Sequence, residues 1–378
     1  MRKVRVGMIG HSFPGRVHSQ AYRDLLAHSR IGIEPVMQTI VGRRENEVKL
    51  AAEELGWLSY ETDWRRLIER DDIDIIDIGT PVSLHREIAV AAAEAGKHII
   101  CSSPLAGSKA EAEKIWRSAR KAGVVHMVPY PLRYMPAVRY ARKIVNDGLL
   151  GDIYHFRAQC CPKSNDRLGT SSKRELLEDL LAHSIDLGRN LIGEIQEAVG
   201  MKDSTECPVG SMNGTTTSPH EEKISPPNEN SSCESMNTAL TALVRFDNGI
   251  IGIFEVSQLG KGFHRSNLIE INGNKGSLRL DLEELNTVRL CLQDPVTGKG
   301  EFRNIDCSDY EAPGDELRKL AGKKSGYEQA FVYLMHEFMR GIHENACPSP
   351  NFEDGYKNRV LLDAIKRSAK TRTWLKIG

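Results

Sequence analysis

The chain has no net charge, because 51 lysines and arginines balance 51 aspartates and glutamates over 378 residues. It also has no long basic run, so neither a nucleic acid nor an anionic membrane surface finds electrostatic support as a partner. No apolar stretch approaches the roughly 18 residues of a membrane span, and the first residues enter a strand pattern without the apolar core of a secretion signal. Cys-x-x-Cys pairs are missing too. The eight cysteines, at 101, 160, 161, 207, 233, 291, 307 and 347, are scattered, which leaves zinc ribbons and thioredoxin-like redox motifs unsupported. The expectation is a reduced, cytoplasmic globular protein without a metal, 40% hydrophobic and 27% charged, and long enough for two domains.

Residues 4 to 18, Val-Arg-Val-Gly-Met-Ile-Gly-His-Ser-Phe-Pro-Gly-Arg-Val-His, organise what is present. Val4, Val6, Met8 and Ile9 form the short apolar run of a buried parallel strand, and a helical pattern follows from about Arg16 to Leu26. Backbone N–H groups at a helix start have no intrahelical partner and the local dipole is positive. The turn Gly10-His11-Ser12-Phe13-Pro14-Gly15 is therefore a candidate pyrophosphate cradle. The usual dinucleotide fingerprint has three glycines; here Gly10 and Gly15 remain and Ser12 holds the middle place.

Strand and helix patterns then alternate. Strands are expected at Glu34–Gly42, Ile73–Ile78, His98–Cys101 and Val124–Val128, separated by helices around Glu47–Leu55, Trp64–Ile68, Ser83–Ala95 and Lys109–Ala122. Crossovers of this length demand a parallel, doubly wound sheet, whose ligands bind beyond the carboxyl ends of its strands. Ser12, Gly42, Thr80, Ser103 and Tyr130 all fall at such ends. A carboxylate ending the second strand would select NAD by bonding the ribose 2′-hydroxyl, whereas an arginine would pair with the 2′-phosphate of NADP. Arg43 and Arg44 stand there. They read equally well as solvated arginines, so NAD and NADP both stay open, with a slight lean to NADP.

Beyond a linking helix at Tyr134–Asn146, the strand Asp152–Cys161 opens a second domain. In the helix Glu175–Leu191, Asp179, His183 and Asp186 fall at i, i+4 and i+7, on one face. A histidine and a carboxylate one turn apart can share a proton-transfer task. Residues 201–237, rich in Ser, Thr, Asn, Pro and Gly, read as a flexible insertion between strands. Hairpins follow at Ala239–Val256 and Leu268–Leu282, and Phe331, Leu334, Met335, Phe338 and Ile342 form a core-facing helical stripe.

In this order the blocks resemble the glucose–fructose oxidoreductase/inositol dehydrogenase (Gfo/Idh/MocA-type) family. The carriers are Gly7 to Gly10 through Gly15 to His18, Thr80-Pro81 with His85, and Ala95 to His98 leading to Pro104-Leu105-Ala106. Further carriers are Arg133 to Pro136, Gly148 to Ile153, Asp179 and His183 with Asp186, Ile271 to Leu278, and Trp374 to Ile377. Within that family the opening motif and block order resemble sugar dehydrogenases.

The resemblance implies a Rossmann domain at 1–128 and, at 129–378, a substrate and oligomerisation domain built on an open, mostly antiparallel sheet that ends in a helix and strand at 354–378. It implies hydride transfer between NAD(P) and a hydroxyl-bearing carbon of a sugar or cyclitol, in a homo-oligomer paired through the sheet. Gly10, Ser12, Phe13, Pro14, Gly15, Arg43, Arg44, Thr80, Pro81, His85 and Ser102 are its cofactor positions. Tyr130, Arg133 and Lys163 join Asp179 and His183 around the substrate, with His183, Asp179 and Ser103 as the catalytic set.

Members carry Glu-Lys-Pro after the fourth of these strands, where this chain has Ser102-Ser103-Pro104. A serine hydroxyl can hydrogen-bond a substrate but cannot take its proton unaided near neutral pH. Two alternatives therefore stand beside the dehydrogenase: a nucleotide- and sugar-binding regulatory protein without redox chemistry, and a lyase or epimerase that uses the nicotinamide transiently.

Overall fold

The structure, a computed structural model, describes residues 2–28, 31–161, 173–206, 236–257, 266–308, 310 and 326–377. Its first half alternates strand and helix: β1 (Arg2–Ile9), α1 (Phe13–His28), β2 (Ile33–Val41), α2 (Glu45–Leu55), β3 (Ser59–Glu61), α3 (Trp64–Glu69), β4 (Ile75–Ile78), α4 (His85–Glu94), β5 (His98–Cys101), α5 (Lys109–Ala122) and β6 (His126–Met127). The six strands run parallel in the order β3-β2-β1-β4-β5-β6. The winding direction reverses between β1 and β4, and that switch point opens a crevice at the strands' carboxyl ends.

Five strands were expected; β3 is the sixth. Its Ser-Tyr-Glu is a three-residue edge strand with no buried residue, so it leaves no apolar run to read. The last strand is shorter than expected, His126–Met127 in place of Val124–Val128. Local signals set α5 well: the Ser108 hydroxyl accepts from the Glu111 N–H, and Gly123, at φ +67°, ends the helix.

The second half adds α6 (Pro136–Asn146), β7 (Ile153–Cys161), α7 (Lys173–Leu191), β8 (Ile195–Glu206), β9 (Met236–Phe246), β10 (Ile251–Ser257), β11 (Ser266–Gly273), β12 (Gly276–Asp281), β13 (Thr287–Leu292) and β14 (Arg303–Asp306). It closes with α8 (Gly326–Glu344), α9 (Phe352–Thr371) and β15 (Leu375–Lys376). Nine strands form one sheet, β14-β13-β12-β11-β7-β10-β9-β8-β15, antiparallel except where β7 lies parallel to β10. Helices α6, α7 and α9 bury Ile144, Leu181, Ile185, Leu361 and Ile365 against Phe156, Phe246 and Phe254 on one face of it. The α8 stripe packs elsewhere: Phe331, Leu334, Phe338 and Ile342 join Tyr22 and Leu25 of α1 in the core of the first sheet.

The segment read as an insertion is partly strand, since β8 runs through Glu206 and β9 begins at Met236. The pairing of β8 with β9 imposes extension on its polar end, Lys202 to Glu206. Residues 207–235 lie outside the described residues, as does Lys163.

Candidate active site

The turn after β1 is shaped by two glycines. Gly10 adopts φ +103°, and a Cβ there would sit 2.6 Å from the Gly79 carbonyl oxygen. A Cβ on Gly15 would sit 2.4 Å from the Gly10 carbonyl oxygen, so only glycine lets α1 start this close to the turn. The helix begins at Phe13, three residues earlier than its pattern suggested, which places Phe13 and Pro14 in the first turn and Ser12 just outside it. Ser12 donates to the Gly79 carbonyl at 3.4 Å, a bond that spans the switch point from β1 to β4. Below, Asp77 of β4 receives His18 Nδ1 at 2.9 Å and the Tyr22 hydroxyl at 2.9 Å, all three fully buried. This triad, to which sequence reasoning gave no role, holds α1 to the sheet beneath the cradle.

At the end of β2, Arg44 donates to Glu47 at 2.5 Å, while Arg43 is exposed and pairs with no described residue.

His85 and Ser102 were expected at the cofactor; in the structure both contact the loops beside it. His85 is 1% exposed, with Nε2 at 2.8 Å from the Thr80 carbonyl and Nδ1 at 3.2 Å from that of Leu105. Burial lowers its pKa, so it stays neutral. The Ser102 hydroxyl lies 3.4 Å from the same Nε2. Together they brace the loops after β4 and β5 against each other. Pro81, beside Thr80, remains exposed at the crevice.

Arg133 was expected to touch substrate; instead its guanidinium is an internal strut. Nε and Nη2 donate to the two Asp186 oxygens at 2.6 Å each, Nη1 donates to Ser349 at 2.8 Å, and Nη2 also meets Asp354 at 3.2 Å. Asp186, the third residue of the α7 face, is therefore engaged by Arg133, which leaves Asp179 and His183 as the two of that face not tied to Arg133.

These two face each other loosely, with His183 Nε2 at 3.8 Å from Asp179 Oδ1. The Tyr130 ring meets the imidazole edge-on, centroids 5.3 Å apart at 86°. Ser103 lies beside both Asp179 and Tyr130. Burial pushes the Asp179 carboxyl above its ordinary range, against the opposing pull of His183 and Ser103. Ser103 Oγ, Asp179 Oδ1 and His183 Nδ1 are buried and have no hydrogen-bond partner among the described residues, as is true of Thr80 Oγ1 on the neighbouring strand end. Unsatisfied buried polar atoms are rare and costly, and such a group calls for an explanation.

A histidine–aspartate pair beside the end of β5, in a parallel sheet whose first strand runs into a glycine-shaped helix start, suits a nicotinamide-dependent oxidoreductase. Comparison with known proteins makes the assignment closer. Residues 4–130 match the model of the Gfo/Idh/MocA oxidoreductase family, NAD-binding Rossmann fold, and residues 138–279 match the Gfo/Idh/MocA C-terminal domain. The chain is 30% identical over 392 residues to the levoglucosan dehydrogenase of Pseudarthrobacter phenanthrenivorans, covering 100% of this chain and 99% of that protein.

Among solved structures, a levoglucosan dehydrogenase in complex with NADH and levoglucosan matches at TM-score 0.85 and 29% identity, covering 100% of both chains. An oxidoreductase domain protein from Kribbella flavida matches at TM-score 0.82 and 32% identity, again over 100% of both. The chain belongs to the Gfo/Idh/MocA family of NAD(P)-dependent oxidoreductases.

Proposed function

We propose that this protein oxidises a secondary hydroxyl of a sugar, anhydrosugar or cyclitol to the ketone, or runs the reverse reaction. The observation that carries the reading is the meeting of Ser103 Oγ, Asp179 Oδ1 and His183 Nδ1, all buried and without a hydrogen-bond partner among the described residues, where α7 faces the end of β5. A sugar with neighbouring hydroxyls can donate to Asp179 Oδ1 and to His183 Nδ1 and exchange a bond with Ser103 Oγ, which an apolar ring cannot do. The full-length likeness to levoglucosan dehydrogenase supports an anhydrosugar or pyranose as substrate.

Gly10, Ser12, Phe13, Pro14 and Gly15 would hold the pyrophosphate of NAD(P) at the start of α1, Arg43 would face the adenosine ribose, and Thr80 and Pro81 would border the nicotinamide. The tight Gly10–Gly15 approach, which a Cβ would fill, fits that group. When bound, the cofactor supplies acceptance or donation of a hydride.

The protein's own part is the proton. His183 directs Nε2 toward Asp179, which favours the Nε2–H tautomer and leaves the Nδ1 lone pair free to take the hydroxyl proton as the carbon–oxygen double bond forms. In reverse, the imidazolium returns it. Asp179 steadies the charge on His183, and Ser103 orients the reacting oxygen. In this reading residues 1–128 bind the nucleotide and 129–378 the substrate. The cysteines among the described residues are free, which supports a reduced, cytoplasmic setting.

The test is turnover of levoglucosan, glucose and myo-inositol with NAD and with NADP, followed by absorbance of the reduced nicotinamide. Reduction with one sugar class is expected, and preference for NADP would assign Arg43 to the 2′-phosphate. A protein that releases no calorimetric heat with either nucleotide and turns over none of the three would overturn the reading.

A further inference from the structure

Tyr130 and Arg133 share the turn that follows β6, where the Arg133 N–H donates to the Tyr130 carbonyl at 3.3 Å. His183 and Asp186 share one turn of α7. Two contacts join these turns. The Tyr130 ring meets His183 edge-on, centroids 5.3 Å apart. Beside it the Arg133 guanidinium forks onto both Asp186 oxygens at 2.6 Å each, the two side chains being 10% and 1% exposed.

Burying such an ion pair costs about as much in desolvation as its attraction returns, so stability alone is a weak reason for it. What a fork on a carboxylate supplies is orientation, because two parallel bonds fix one plane against the other. The other Arg133 contacts add to that hold. Nη1 donates to Ser349 at 2.8 Å and Nη2 to Asp354 at 3.2 Å, and Asp354 in turn accepts from the Asn351 N–H at 2.9 Å to cap α9. Toward the start of α7, Glu178 accepts from Lys366 at 2.7 Å and from Arg359 at 3.3 Å, both on α9. Asp179 and His183 therefore lie on a stretch of α7 anchored at both ends, by Glu178 and by Asp186.

We propose that Arg133 is a positioning residue for the oxidoreduction: its fork on Asp186 holds the Tyr130 ring against His183 and so sets where the imidazole stands. The proposal rests on the oxidoreductase reading of the same site. His183 approaches Asp179 only to 3.8 Å, and its Nδ1 has no hydrogen-bond partner among the described residues. The Tyr130 ring is thus the contact that steadies the imidazole plane. A displacement of about 1 Å at a reacting group can cost about a hundredfold in rate, so the hold matters to turnover.

Two full-length variants test this. Arg133→Lys keeps the charge and loses the fork. The double variant Arg133→Met/Asp186→Asn removes both charges together, strands no carboxylate at 186, and keeps an acceptor there for the Asn358 amide. Both are compared with wild type in NAD-dependent oxidation of whichever of levoglucosan, glucose and myo-inositol the wild type turns over, beside melting curves and NAD calorimetry. The double variant should melt close to wild type, yet lose about tenfold or more in kcat while KM and NAD affinity stay within about threefold. Wild-type kcat in a stably folded double variant would leave the pair a merely structural role and overturn the proposal, as would wild-type kcat in Arg133→Lys. If the double variant melts early, Arg133→Lys decides on the same criterion.

A readout without substrate separates this hold from the reaction. The ring current of Tyr130 acts on the His183 ring protons, whose NMR shifts are recorded at one fixed pH and assigned by their loss in His183→Ala. In both variants these shifts should move, while those of His18 on α1 stay in place. Unchanged His183 shifts would overturn the proposal. Moved shifts in a protein that turns over no sugar uphold the hold on Tyr130 and count against the proposed function alone.

Discussion

His183 turns one ring nitrogen toward Asp179 and leaves the other unpartnered in a buried site. The buried histidines His85 and His18 belong to the scaffold: His85 lies between the Thr80 and Leu105 carbonyls, and His18 Nδ1 bonds Asp77. A histidine tied into the scaffold holds elements together, whereas one beside the candidate site with an open nitrogen can move a proton. His183→Ala should therefore cut turnover by about 10²- to 10⁴-fold, the usual worth of a general acid–base group, and leave nucleotide affinity unchanged. Kinetics and NAD calorimetry on the same preparation decide it. Undiminished turnover would move the proton-accepting role to another group, and weakened NAD binding would mean that His183 supports the cofactor instead.

Among the elements, α1 shows most clearly what the sequence could reveal. The glycines that let it approach β1 and β4, Gly10 and Gly15, lie within one short stretch of chain, so their spacing announced a strand, a turn and a helix. The same locality made β5 and α5 legible residue for residue, at His98–Cys101 and Lys109–Ala122. Where a residue's fate depends on distant partners, the pattern was silent. Arg133 looked like a substrate ligand because nothing nearby shows that Asp186, 53 positions on, and Asp354, 221 positions on, will take its guanidinium. The Asp179–His183 pair was visible because both residues sit on one helix, one turn apart. The cradle yields an element-scale prediction. A Cβ at position 15 would meet a backbone oxygen at 2.4 Å, so Gly15→Ala must push the start of α1 away from the turn. Circular dichroism should show the fold retained, and calorimetry should show NAD(P) affinity reduced by about tenfold or more, because the N–H groups that cradle phosphate move with the helix. Wild-type affinity in a folded Gly15→Ala protein would place the pyrophosphate elsewhere.

For the molecule as a whole, the nine-stranded sheet poses the remaining question, because among the described residues its helices cover one face only. The other face carries an apolar row across three adjacent strands: Val199 of β8 pairs with Leu243 of β9, which pairs with Ile253 of β10. Leu243 is 40% exposed, and Ile251 and Met201, on the same face, are 45% and 76% exposed. Ion pairs flank the row, Arg245 with Glu197 at 2.8 Å and Arg157 with Glu255 at 3.6 Å. A solvated sheet face normally presents polar side chains, and an apolar strip framed by complementary charges suits contact with a like surface. We propose that a second copy of the chain covers it. A two-fold axis near Leu243 would set each strip against its counterpart in a self-complementary contact. The wild type should then sediment as a dimer or larger at micromolar concentration. Leu243→Glu should shift it to the monomer by placing two buried carboxylates against each other at the axis. The substituted side chain lies on the face away from the helices, so the monomer should remain folded and bind nucleotide as the wild type does. A wild type that sediments as a monomer across that range, or a Leu243→Glu protein that stays oligomeric, would rule out this face as the contact.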